Sequence, residues 1–156
     1  HEGMADIGVA AIRSAVREHK LWRGTAPVVM IDYLQILAPA DPRATDKQNT
    51  DRAVVELKRL SRDFDTPVLA ISSFNRENYR VPVRMEAFKE SGAVEYCADV
   101  LLGMQLAGAG GRDFDVDAEK ARDPRRIELV LLKNRNGVPY AQVPLRYYPK
   151  FSLFRS

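Results

Sequence analysis

The stretch Val28–Gln35, VVMIDYLQ, sets an aspartate directly behind four large apolar residues. A run this short and this continuously apolar has the pattern of a strand covered on both faces, as strands of parallel sheets are. Asp32 ends it, and two readings of that residue stay open: a carboxylate that forms the next turn, or an acid fixed at a sheet edge where Mg²⁺ can be held through water. Further along, Pro67–Ser72, PVLAIS, repeats the pattern, with proline at the first position, where a strand tolerates it. Between the two, residues 38–50, APADPRATDKQNT, read as a loop. Thr50 then reads as the cap of a helix whose inner face is Ala53, Leu57, Leu60 and Phe64. Strand, helix and strand make a right-handed crossover, so both strands run parallel and end on one edge. Ligands bind at that edge in such sheets, and Asp32 and Ser72 are both placed there.

Outward from this unit, Val9, Ile12 and Val16 recur at helical spacing within residues 5–20, before a break at Gly24 and Pro27. Residues 94–106, VEYCADVLLGMQL, read as a short helical piece leading into a third strand near Asp99 to Met104. Residues 107–126 are rich in glycine and charge with little to bury, the pattern of a mobile surface loop. The chain closes on IELVLL, KNRNGV, PYAQVPLRYY and KFSLF, which read as antiparallel strands. Asn136-Gly137 is there the signal of a two-residue type I′ hairpin turn, whose central residues both need positive φ. The fold class expected is therefore α/β, with a largely parallel sheet and a C-terminal antiparallel hairpin, in a single domain over 1–156.

At 156 residues, with 46% apolar and 29% charged residues, the chain has the balance of a folded domain rather than a disordered one. A net charge of only +3 leaves the identification of a nucleic-acid binder to patterning. The lone Cys97 excludes an internal disulfide and fits a reducing compartment. No apolar run approaches the roughly 20 residues of a membrane span, and the expected location is cytoplasmic. The first residue, His1, is not a start methionine, and the chain is read as a piece of something longer.

Ser72, Ser73, Asn75 and Arg76 follow the second strand; their hydroxyls and amide can contact a phosphate, and they are equally the types a tight turn prefers. Lys133 and Arg135 are two apart, so on a strand they share a face. With no acid near them in sequence, they suit reaching a phosphate outside their own subunit, or simply form a solvated tip. RDFDVD at 112–117 fails as a calcium loop, because Ala118 stands where the turn glycine belongs and Pro124 where the bidentate glutamate belongs. Cys97, His1 and His19 have no metal-ligand spacing, and neither G-x-S-x-G nor G-x-x-x-x-G-K-[ST] occurs.

Taken in order, these pieces resemble the C-terminal RecA-fold motor domain of DnaB-type replicative DNA helicases, from about Ile12 to Phe154. VVMIDYLQILAP is similar to that family's Walker B strand, and LKRLSRDFDTPVLAISSFNR to its next helix and strand. FKESGAVEYCADVLL is similar to its Arg-Glu-Ser-Gly…Asp-Ala-Asp segment, and LLKNRNG to its Lys-x-Arg-Asn-Gly finger. The resemblance implies a RecA-like P-loop NTPase core without its N-terminal part. It implies an ATP- and Mg²⁺-dependent helicase that translocates on single-stranded DNA as a ring hexamer, with a primase or a loader as further partners and no membrane. Asp32 is then the Walker B acid for Mg²⁺, held via water, and Lys133 and Arg135 the finger offered in trans. Lys89, Glu90 and Gly92 lie on the channel loop against DNA phosphates, with Arg76, Arg80 and Arg84 adding positive field.

Two positions depart from the family: Ser73 stands where it has a nucleotide-sensing glutamine, and Lys89 replaces an arginine. Since a phosphate loop is expected only upstream, the chain alone is expected neither to bind ATP tightly nor to hydrolyse it. The competing readings are a non-catalytic RecA-like ring or DNA-binding module, and a recombination or clock ATPase. Tyr33-Leu34-Gln35 and the Lys-x-Arg finger speak against the last.

Overall fold

A computed structural model of the chain describes residues 7–37, 39, 41–74, 79–88 and 92–156. The chain forms two compact units, His1–Ser73 with Glu90–Cys97, and Phe74–Lys89 with Ala98–Ser156.

The first unit is built on helix α1 (Val9–Arg23), strand β1 (Val29–Ile31), helix α2 (Asp46–Phe64), strand β2 (Val68–Ala70) and the short helix α3 (Gly92–Cys97). β1 and β2 pair in parallel, Val29 beside Val68 and Ile31 beside Ala70, as the crossover pattern requires. α2 starts earlier than the sequence pattern suggests, and Thr50 lies inside it rather than at its cap. Thr45 is the cap instead: its hydroxyl accepts the Gln48 N–H, and the Gln48 side chain accepts the Thr45 N–H. Val54, Leu57 and Leu60 form the buried stripe of α2, and Leu60 is fully enclosed. α1 lies against α2, with Arg13 paired to Asp63 and stacked over the Phe64 ring. The Arg13 guanidinium holds the Asp63 carboxyl below the usual aspartate range. Thr66 is buried between α2 and β2, and its hydroxyl donates to the Pro27 carbonyl at 2.6 Å.

β1 corrects one expectation. Val29 and Ile31 are buried, but Met30 is 73% exposed and Leu69 of β2 53% exposed. Successive side chains alternate across a strand, and here only the Val29–Ile31 face is covered, so the run is apolar on both faces and buried on one.

The second unit holds strand β3 (Val100–Leu106), the short helix α4 (Val116–Ala121), and strands β4 (Arg125–Asn134), β5 (Gln142–Tyr148) and β6 (Leu153–Arg155). The four strands form one antiparallel sheet in the order β3-β4-β5-β6, so the antiparallel part is larger than a terminal hairpin. Val83, Phe88, Leu101, Ile127, Val130 and Leu132 are the buried hydrophobic residues of this unit. Pro144 sits in β5 before the stretch that pairs with β6, so its missing N–H costs that ladder nothing.

The stretch 107–126 is not a loop without elements. It contains α4, capped by Asp115, whose carboxylate accepts the N–H groups of Asp117 and Ala118. Glu119 is 7% exposed and lies against Arg126 (2.5 Å) and Arg122 (3.0 Å). The Arg126 guanidinium, with Arg122 beside it, holds the Glu119 carboxyl below the usual glutamate range, and Glu119 in turn raises Arg126. Gly110, at φ +84°, donates its N–H to the Arg80 carbonyl, and Lys120 sits 4.9 Å over the Tyr79 ring. Ion pairs and backbone bonds organise a stretch whose composition has few apolar groups to do so. No helix among the described residues is long and apolar enough to cross a membrane.

Candidate nucleotide edge and cationic tip

β1 and β2 end side by side. The Ile71 N–H donates to the Ile31 carbonyl at 2.9 Å, and the chain then turns so that the Leu34 N–H donates to the Ile71 carbonyl at 2.8 Å. Asp32 lies in this turn, immediately after β1 and exposed, and the Asp32–Tyr33 peptide is cis. A single 3-10 turn follows at Leu34–Ile36, anchored by buried Leu34. It aims Gln35 across to the end of β2: the Gln35 amide Nε2 donates to the Ser72 hydroxyl at 3.0 Å, and its Oε1 accepts the Ser73 N–H at 3.5 Å. The structure thus brings Asp32, Ser72 and Ser73 to one edge, as the crossover pattern implies. Gln35, to which the sequence pattern assigns no role, is the side chain that ties the two strand ends together. Its position three residues after Asp32 was the available signal.

No group of three or more His, Cys, Asp or Glu side chains gathers among the described residues. Asp32 offers an exposed carboxylate at the strand edge. That fits Mg²⁺, which keeps several waters and is commonly held by one or two carboxylates together with phosphates. Asn75 and Arg76 lie outside the described residues.

Lys89 and Glu90 also lie outside them. Gly92 opens α3, and the next N–H, that of Ala93, donates to the Asp51 carboxylate of α2 at 3.2 Å. A Cβ added at Gly92 would meet nothing within 4 Å among the described residues. In the second unit the 79–88 segment, carrying Arg80 and Arg84, is fastened to β3 by the Val83 N–H, which donates to the Gln105 side chain at 2.6 Å.

The cationic tip departs most from expectation. β4 pairs with β5 only as far as Val130 opposite Gln142, while it pairs with β3 as far as Asn134 opposite Val100. The connection 135–141 is seven residues long rather than a two-residue type I′ turn, and neither Asn136 nor Gly137 has positive φ; Tyr140 does, at +69°. The Asn134 side chain accepts the Asn136 N–H at 3.3 Å and crowds Gly137, where an added Cβ would lie 2.6 Å from its amide nitrogen. The Arg135 N–H donates to the Asp99 carbonyl at 2.8 Å, which continues the β3–β4 ladder instead of closing a tight hairpin. Lys133 stands opposite Leu101, half-buried.

Nor is the tip without an acid. The Arg135 Nη1 and the Asp99 Oδ1 are 3.1 Å apart, with both side chains about half exposed, at 49% and 46%. Asp99 is distant in sequence and adjacent across the ladder, so a reading of local charge misses it. Exposed pairs of this kind contribute about 0–1 kcal/mol.

A parallel strand pair with an acid and hydroxyls on its carboxyl edge, and an antiparallel sheet ending in a cationic tip, belong to the α/β class of RecA-like ATPase cores. The chain belongs to the DnaB-like helicase C terminal domain family, whose model matches residues 2–156. It is 33% identical over 150 residues to the replicative DNA helicase DnaB of Pasteurella multocida, covering 92% of this chain and 30% of that protein. It is 29% identical over 156 residues to a probable replicative DNA helicase of Trieres chinensis, covering 96% of this chain and 32% of the relative. Among solved structures, a DnaB-like replicative helicase described with its primase interactions superposes with a TM-score of 0.79 at 26% identity, covering 97% of this chain and 36% of that one. The chain spans about a third of the length of the curated relatives it matches.

Proposed function

We propose that the chain is the C-terminal part of the motor of a replicative DNA helicase, which couples ATP hydrolysis to movement on single-stranded DNA as a ring hexamer. The observation that supports this best is the shared edge at which Asp32, Ser72 and Ser73 meet, fastened by Gln35. Asp32 holds Mg²⁺ through water; the ion, when bound, neutralises charge on the phosphates. Ser72 and Ser73, with Asn75 and Arg76 following, supply hydroxyl, backbone and cationic contacts to the nucleotide. Gln35 fixes the spacing of the two strand ends, and so places the Asp32 carboxylate relative to the Ser72 hydroxyl. Lys133 and Arg135 act on the phosphates held by a neighbouring subunit, where a guanidinium stabilises the charge that develops in phosphoryl transfer. Lys89, Glu90 and Gly92 belong to the loop that meets DNA phosphates. A primase is a partner by analogy with the structural neighbour described with its primase interactions.

The 156 residues contain no G-x-x-x-x-G-K-[ST], so tight ATP binding requires a phosphate loop from elsewhere in a longer polypeptide. In such a polypeptide, Arg135→Ala lowers kcat for ATP hydrolysis by about 10³-fold or more while nucleotide affinity stays the same. Equal losses of binding and turnover would refute a finger acting in trans.

A further inference from the structure

We infer that Asp99 is a positioning residue for the finger, orienting Arg135 before it meets a neighbouring subunit's phosphate; this rests on the finger reading of Arg135. The two residues form a cross-strand pair one step beyond Val100 opposite Asn134, joined by the Arg135 N–H and the Asp99 carbonyl at 2.8 Å. Residues opposite one another in an antiparallel ladder project from the same face, and here the Nη1–Oδ1 distance is 3.1 Å. Arg135 itself lies just past the last residue of β4, in the turn. An arginine there has many rotamers, and holding one of them costs conformational entropy when the phosphate is engaged.

The Asp99 carboxylate lays the guanidinium along the end of the ladder, so part of that ordering is already done in the free subunit. The Arg135 side chain is about half exposed while paired, so Asp99 can remain in place when the guanidinium meets the phosphate. Both side chains are about half exposed, unlike Glu119 with its two arginines, so the pair adds little to fold stability. Its contribution falls on orientation rather than on folding.

The test is a double-mutant cycle between Asp99 and Arg135, measured in the helicase polypeptide that carries this chain. Asp99→Ala lowers kcat for DNA-stimulated ATP hydrolysis by about three- to thirtyfold, the range set by the rotamer freedom released. KM for ATP and the thermal midpoint stay unchanged. Asp99→Asn, which keeps the shape and one acceptor oxygen, gives an intermediate loss. In an Arg135→Ala background, removing Asp99 produces no further loss, because the group it orients is gone. An unchanged or raised kcat in Asp99→Ala, beside a large loss in Arg135→Ala, overturns the positioning role and leaves the finger standing. The same is true if Asp99→Ala costs as much in the Arg135→Ala background as in the parent. If Arg135→Ala itself leaves kcat unchanged, the finger reading fails, and this inference with it.

Discussion

Gly103→Ala, in the middle of β3, tests how the 79–88 segment is held. A Cβ at this position would lie 2.6 and 2.9 Å from the two Val83 methyl carbons and 3.2 Å from the Leu132 Cδ1. Val83 and Leu132 are both buried, and a β-branched side chain has one preferred χ1, so Val83 cannot swing aside. Overpacking of this kind costs about 1–3 kcal/mol. Replacing glycine by alanine returns about 0.4–1 kcal/mol by restricting the unfolded chain. The net expectation, taking the middle of both ranges, is a loss of about 1–2 kcal/mol. With a urea slope of about 2 kcal/mol per M, the unfolding midpoint followed by circular dichroism falls by about 0.5–1 M. Hydrogen exchange should place the loss in β3 and β4. The decisive comparison adds Val83→Ala, which alone costs about 1–3 kcal/mol by removing buried methyl groups. In the double variant the new methyl occupies the vacated space, so the pair is milder than the sum by about 1–2 kcal/mol. An unchanged midpoint in Gly103→Ala, or strict additivity with Val83→Ala, would refute the close packing of the 79–88 segment on β3.

Two further outcomes follow from the same geometry. The Glu119 carboxyl is held below the usual glutamate range by Arg126 and Arg122, so its contribution is fully present above the unfolded-state value and disappears as pH falls through the lowered folded one. The thermal midpoint of the parent should therefore exceed that of Glu119→Gln at neutral pH, and the difference should shrink under acid; a gap that widens on acidification would be inconsistent with this. A methyl at Gly92 meets no atom of the described residues and lies in the first turn of α3, so for Gly92→Ala stability is unchanged or raised by up to about 1 kcal/mol. In the DNA-binding assembly its single-strand affinity, read by fluorescence anisotropy, should nevertheless fall, because a methyl group obstructs the approach of a backbone N–H to phosphate. Undiminished affinity would remove the Gly92 backbone from the DNA path.

The parallel unit was legible because its signals are local. Two short apolar runs, a Pro at a strand start and a helical stripe through Leu57 and Leu60 each require only neighbouring residues to be seen. The sequence pattern places the start of α2 too late because its first turns, Asp46 to Asp51, are polar throughout and carry no apolar stripe to mark a helix. The information was present: Thr45 followed by Gln48 is the spacing of a capping box. α4 was hidden for a related reason. Its single enclosed group is Glu119, and a buried carboxylate looks like any exposed one until Arg122 and Arg126 are seen around it.

At the tip the local signal is strong and is overridden. Asn-Gly favours a two-residue turn by allowing positive φ at both positions, a preference of a small fraction of the energy in a ladder. β3 offers β4 pairing beyond the point where β5 stops, out to Asn134, and the Arg135 N–H takes the Asp99 carbonyl as one more rung. Closing a type I′ turn at Asn136-Gly137 would require β5 to pair alongside those same residues from the other side, and its pairing ends at Gln142, with Tyr140 and Ala141 reaching back only to Leu131. The rung that overrides the hairpin is also what brings Asp99 to Arg135. The turn geometry and the Asp99–Arg135 pair thus have one cause, a long-range pairing that neither residue's neighbours in sequence announce.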